Sequence, residues 1–171
     1  LLHVARIDAD RFDLTPVSAD VVALVTGTVA RFGPELRDAG LVLHHSLDGT
    51  DPVVALVDVD RLAQVVANLT TNAIAFARTA VWADVQAVDG EARIQISDDG
   101  PGIPPESLGR VFERLYQADN QPTRRGRGSG LGLAIVAELA ARMGGRCEVT
   151  SVEGRGTTFT VRLPLAPARP A

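Results

Sequence analysis

Cysteine is nearly absent from this 171-residue chain: Cys147 stands alone. No disulfide can form within the chain, which suits a reducing compartment. Cys147 lies in CEVTS, a run that reads as a strand, so it reads as a small apolar residue rather than a nucleophile. Aromatic residues are scarce too, 4% of the chain against 46% hydrophobic overall, so the core must be built from Val, Leu, Ile and Ala. No apolar run reaches the ~18 residues that a membrane-spanning helix needs. The opening LLHVARIDAD lacks the charged and apolar regions of a signal peptide and has no initiator Met, and so reads as the start of a fragment. A net charge of −4 argues against a general nucleic-acid binder. The length suits one domain with short extensions.

What is present is a mixture of helical and strand patterns without internal repeats. Leu1, Leu2, Ala5 and Ile7 have the spacing of a helix end over residues 1–9. An edge strand is expected over 10–17, ended by Pro16. Ser18 or Asp20 can cap a helix reaching about Asp38, with an irregularity at Gly33-Pro34. LVLHHSL and VVALV read as two strands. Adjacent His44 and His45 face opposite sides of the first, which makes them poor co-ligands for one metal. Asp58 or Asp60 caps a helix whose buried stripe is Leu62, Val65, Val66, Leu69, Ala73 and Phe76. AVWADVQAV and EARIQIS form an antiparallel pair, and RCEVTSV and TTFTVRL another. Between the pairs come a short helix, a long loop over about 117–128 and a helix from Gly130 to about Met143. The last residues, 166–171, are expected to be disordered. These elements predict an α+β sandwich, one mixed and mainly antiparallel sheet with helices on one face.

Three stretches carry candidate chemistry. DDGPGIP, from Asp98, puts a carboxylate pair at a strand end before Gly100 and Gly102, which let backbone approach whatever the carboxylate holds. Asn68 and Asn72 project from one side of a helix; they either cap neighbouring backbone groups or offer a hard amide oxygen to Mg²⁺. Gly128, Gly130 and Gly132 alternate at the start of an apolar helix, where backbone N–H groups attract phosphate. No Gly-Lys-Ser/Thr follows, so this is not a P-loop. From Arg110 to Arg127 five Arg face only Glu113 and Asp119, a local excess of positive charge.

With Asn68 to Ala73, DDGPGIP, VFERLY at 111–116, GSGLGLAIV at 128–136 and GRGTTF at 154–159, in this order, the chain resembles the ATP-binding domain of sensor histidine kinases. The match runs from about Asp58 to Pro164, and more loosely from residue 10. The resemblance implies the Bergerat fold shared with DNA gyrase, mismatch-repair ATPases and heat-shock chaperones. It implies ATP and Mg²⁺ as cofactors, with Asn72 the main Mg²⁺ ligand and Asn68 a catalytic partner on the phosphate side. Asp98 would hold the adenine amino group, with Thr157 assisting through water. Gly100, Gly102 and Ile103 would shape the adenine pocket, and Gly128, Gly130, Leu131 and Gly132 the phosphate side. Residues from about Pro105 to Arg127 would form a mobile lid. A catalytic domain over 10–165 would then follow the end of a phosphoacceptor helix over 1–9.

Two departures stand out. Where the family carries a cation three residues after the second Asn, this chain has Ala75; where an Arg often follows the F-box aromatics, it has Gln117. Arg114, Arg78, Arg124, Arg125 or Arg127 would have to replace them; Arg114 is the expected catalytic cation. His3 does not fit a phosphoacceptor, so the acceptor histidine would lie on a separate dimerisation domain. A response regulator would act downstream, with no nucleic-acid or membrane contact by this fragment. The resemblance places the domain in the cytoplasm, on a membrane-anchored parent. Two other readings stay open. One is a non-enzymatic nucleotide-binding or scaffold module. The other is a free-standing ATPase, against which Asn68 stands in place of a basic Glu.

Overall fold

The structure is a computed structural model that describes residues 14–47, 51–116 and 130–167. The helix end expected over 1–9, the loop 117–128 with Gly128, and residues 168–171 lie outside the described residues.

Pro16 has no N–H to give a strand ladder. The edge strand expected over 10–17 therefore forms after it, as β1 (Val17–Asp20), which pairs antiparallel with β3 (Val54–Val57) in a two-stranded ribbon. Asp20 ends that strand and caps α1 (Val21–Ala30), its Oδ1 accepting the Val22 N–H at 2.9 Å. The helix expected to reach Asp38 is two helices, because Pro34 cannot continue the bonding of α1 but starts α2 (Gly33–Asp38) without strain. After α2 comes the short strand β2 (Val42–His45).

The long helix α3 (Val59–Phe76) starts at Asp58, whose carboxylate accepts the Arg61 N–H at 3.0 Å and the Thr15 N–H at 2.9 Å. One side chain thus caps α3 and pins the chain entering β1. α3 buries Leu62, Val65, Val66, Leu69, Thr70, Ala73 and Ile74, a wider arc than one stripe. The arc is wide because α3 lies between α1, the sheet and a later helix, α5 (Gly132–Arg142). Phe76, expected within the stripe, is only half-buried, as the last residue of α3.

The main sheet adds β4 (Ala80–Val88), β5 (Glu91–Asp98), β6 (Arg146–Val152) and β7 (Gly156–Pro164) to β2. Its order is β2-β4-β5-β7-β6, with only β2 and β4 parallel. In β5 the alternation is strict: Ala92, Ile94, Ile96 and Asp98 are buried, and the residues between them are half-exposed. Burying Ile94 and Ile96 contributes roughly 1.5–3 kcal/mol each. The opposite face carries ion pairs joining Glu91, Arg146, Glu148 and Arg162. Helices therefore cover one face, as the sequence predicts. His44 stacks on Trp82 at 5.4 Å between ring centres. The tail's first residue is held: the Ala166 N–H donates to Val54 O at 2.9 Å.

Candidate functional site

The buried row of β5 ends in a charged residue. Asp98 is 6% exposed, and in register it faces Thr157 of β7. The Gly100 N–H donates to its Oδ1 at 2.8 Å. Burial pushes its carboxyl up and the neighbouring Asp99 adds to this; the Gly100 and Thr157 N–H groups pull it down, leaving it at about 6. Asp99 has the opposite surroundings. It accepts the N–H groups of Arg78, Thr79 and Ala80 at 2.8–3.1 Å, together with the Thr79 hydroxyl. Burial pushes it up, but these hydrogen bonds outweigh burial and hold it at about 2. Asp99 thereby ties the end of α3 and the start of β4 to the glycine turn.

That turn has no room for side chains. A Cβ on Gly100 would lie 2.6 Å from both Asp98 Oδ1 and the Phe76 carbonyl oxygen. Gly102 has φ +75°, and a Cβ there would run into the Val152 carbonyl. Ile103 N–H donates to Ser151 Oγ at 2.8 Å. α4 (Pro105–Leu108) follows, and Phe112 then packs edge-on against Phe159 at 6.1 Å.

Asn68 and Asn72 are half-buried on α3, one turn apart. At one end of their row, a Cβ on Gly132 would lie 4.0 Å from Asn68 Cγ, so the start of α5 abuts Asn68. At the other end, Phe76 O abuts Gly100. The α3 face thus bridges the two glycine elements, with Asn72 between them. Leu131 occupies the N-cap of α5 without a side-chain cap. The Gly130 carbonyl accepts the Leu115 N–H at 2.9 Å, joining the VFERLY segment to the second glycine element.

Two of the expected cations have partners within the domain. Arg114 pairs with Glu138 of α5 at 3.2 Å with its side chain 64% exposed. Arg78 Nη1 donates to Gly154 O at 3.0 Å, bracing the β6–β7 turn. Ala75 is half-buried on α3, and Gln117 and the arginines at 124, 125 and 127 lie outside the described residues. Burial pushes the Cys147 thiol up to about 12, as an inert strand residue requires. Sequence reasoning missed Ser151, and it offered Arg78 only as a replacement cation. Ser151 had a signal: it follows Cys147 and Val149 on the inward face of β6 as a polar residue where the alternation calls for an apolar one.

A family model described as histidine kinase-, DNA gyrase B-, and HSP90-like ATPase matches residues 57–167. The chain belongs to that family. Within it, the domain is the ATP-binding domain of a sensor histidine kinase. It is 33% identical over 166 residues, 96% of its length, to the sensor protein SrrB of Staphylococcus aureus strain MRSA252. Among solved structures, full-length ShkA in complex with AMPPNP superposes with a TM-score of 0.80 at 31% identity over 92% of the chain. A mycobacterial sensor histidine kinase, MprB, superposes at 0.72 with 27% identity, over 88% of this chain and 97% of that one. The chain spans 28% of the length of SrrB and 33% of ShkA. Among the described residues, no helix is long and apolar enough to cross a membrane.

Proposed function

We propose that this domain binds Mg·ATP between α3 and α5 and donates the γ-phosphoryl group to a histidine on the phosphoacceptor domain of its parent kinase. A response regulator would receive the phosphoryl group next. The parent would be membrane-anchored, with this domain on the cytoplasmic side. The observation that carries the reading is the α3 face. Asn68 meets the glycine start of α5 at one end, and Phe76 O meets the Asp98–Gly100 turn at the other. Such a face suits a nucleotide held by its base at Asp98 and by its phosphates near Gly130, Leu131 and Gly132.

Asp98 accepts from the base amino group, and Thr157 assists beside it. Gly100, Gly102 and Ile103 wall the base side. The α5 N-terminus offers N–H groups and a positive dipole end to phosphate oxygens. Among the described residues no group of three His, Cys, Asp or Glu could hold a metal. One amide oxygen at Asn72 therefore fits a metal that arrives with the nucleotide and keeps its waters, which is how Mg²⁺ binds. Such an ion would supply charge neutralisation at the phosphates. Asn68 orients and cannot act as a base, because an amide takes no proton at neutral pH. Catalysis would rest on positioning and on charge stabilisation.

One observation favours a second reading, a nucleotide-binding module without phosphotransfer. Arg114 is held by Glu138 and Arg78 by Gly154, and position 75 is Ala. All 17 cationic residues are arginine, so any replacement cation is a guanidinium. Joining the native upstream segment to this domain and assaying ATP-dependent, acid-labile phosphorylation of a histidine separates the two. Phosphorylation supports the kinase reading; tight ATP binding without phosphorylation supports the second.

A further inference from the structure

Ser151, Thr157 and Asp98 form one row on the helix-facing side of three adjacent strands. Ser151 Oγ is fully committed. It accepts the Ile103 N–H at 2.8 Å, donates to Gly156 O at 2.8 Å and lies 2.9 Å from Thr157 Oγ1. A serine hydroxyl has one proton. The Gly156 carbonyl can only accept, so it takes that proton. In the hydroxyl–hydroxyl contact the donor is therefore Thr157. Its proton is turned away from the cleft, and its lone pairs are what remain for a ligand. Asp98, when ionised, also only accepts. The row thus presents acceptors alone.

We infer that Ser151 is a positioning residue for base specificity: by taking the Thr157 proton, it makes Thr157 an acceptor and disfavours a purine with a keto group at position 6. This inference rests on the nucleotide reading above. A base with a 6-amino group supplies the donor that the row lacks. A 6-keto base keeps a donor at N1, but at position 6 it brings a further acceptor that finds no donor. Without the Ser151 hydroxyl, Thr157 would be free to rotate and donate to that keto oxygen.

The test is calorimetric binding of ADP and of inosine diphosphate to the wild-type domain and its variants. Ser151→Ala is expected to cut the ADP-over-IDP preference about tenfold, and Ser151→Thr, which keeps the hydroxyl, to restore it. Thr157→Val in the wild-type background is expected to weaken ADP several-fold and leave IDP unchanged, and it does not disturb the Ile103 bond. Ser151→Ala made in the Thr157→Val protein should no longer change the preference. Equal losses for ADP and IDP in either single variant would overturn the inference and leave Ser151 a purely structural residue. If the wild-type domain binds neither nucleotide, the nucleotide reading itself fails and the inference falls with it. If it binds ADP and Ser151→Ala keeps the wild-type ratio, the inference alone fails.

Discussion

Asp98 and Asp99 are adjacent in the chain, yet their carboxylates are held at opposite ends of the carboxylate range, one at about 6 and the other at about 2. Asp98 is buried with few donors; Asp99 collects the N–H groups of residues 78–80. The pair divides into one buried acceptor with few donors of its own and one bound to the backbone of residues 78–80.

The division predicts different losses. Asp98→Asn should lower nucleotide affinity more than tenfold, because a charge-assisted hydrogen bond is worth roughly 1.5–3 kcal/mol. Asp99→Asn should leave affinity within a few-fold. It should lower the melting temperature by several degrees, since one amide oxygen cannot serve three N–H donors and a hydroxyl. Calorimetry and thermal melts on both variants decide this; equal affinity losses would refute the assignment.

The raised Asp98 value also sets a pH dependence. Below about 6 the free domain holds a proton on this carboxyl, which must leave before the group can accept from a base. ADP affinity should therefore fall as pH drops from about 7 to 5, towards about tenfold per unit, in excess of any change shown by Asp98→Asn. Phosphate titration is common to both proteins and cancels. For stability the sign is reversed. Between its ordinary 3.8 and about 6 the folded state binds the proton more tightly, so Asp98 contributes stability that is lost as pH rises through 6. Asp99 contributes stability above 3.8 that is lost as pH falls towards 2. Melting curves of the two Asn variants across pH resolve the opposing slopes.

Asn72, lying between the two glycine elements, should control metal dependence more than Asn68. Asn72→Ala is expected to remove the Mg²⁺-enhanced part of ATP binding and to leave weak ADP binding. The measurement is a Mg²⁺ titration of ATP affinity in each variant. An unchanged titration curve for Asn72→Ala would sink the ligand assignment.

Asp58 should matter for stability beyond an ordinary helix cap. It serves the Arg61 N–H and also the Thr15 N–H, 43 residues before it in the chain. Asp58→Ala should cost about 1–2 kcal/mol from the cap alone. It should also loosen the β1–β3 ribbon, visible as faster hydrogen exchange at Val17–Asp20. Exchange unchanged there would confine Asp58 to capping.

Local chemistry made most of the elements legible. Apolar spacing gave away α3, and alternation marked β5 and β7. Asp20 and Asp58 were among the caps offered for helix starts, and Gly33-Pro34 marked an irregularity that the structure turns into a break between two helices. Five ordered motifs carried the family. The sequence could also single out Asp98, because a strand-end carboxylate before two glycines needs no distant partner to be noticed. What the tertiary structure decided was where each polar group spends its hydrogen bonds. Asp99 reads like Asp98 in sequence, but only the approach of residues 78–80 makes it structural. Arg114 reads as a cation for phosphate, and the fold gives its exposed guanidinium a partner in Glu138 of α5 that the sequence does not announce. Ser151 reads as one polar residue in a strand until β7 and the glycine turn close around its hydroxyl. Propensity and periodicity act over a few residues, whereas a buried hydrogen bond is satisfied by whichever segments the packed sheet and helices bring within 3 Å.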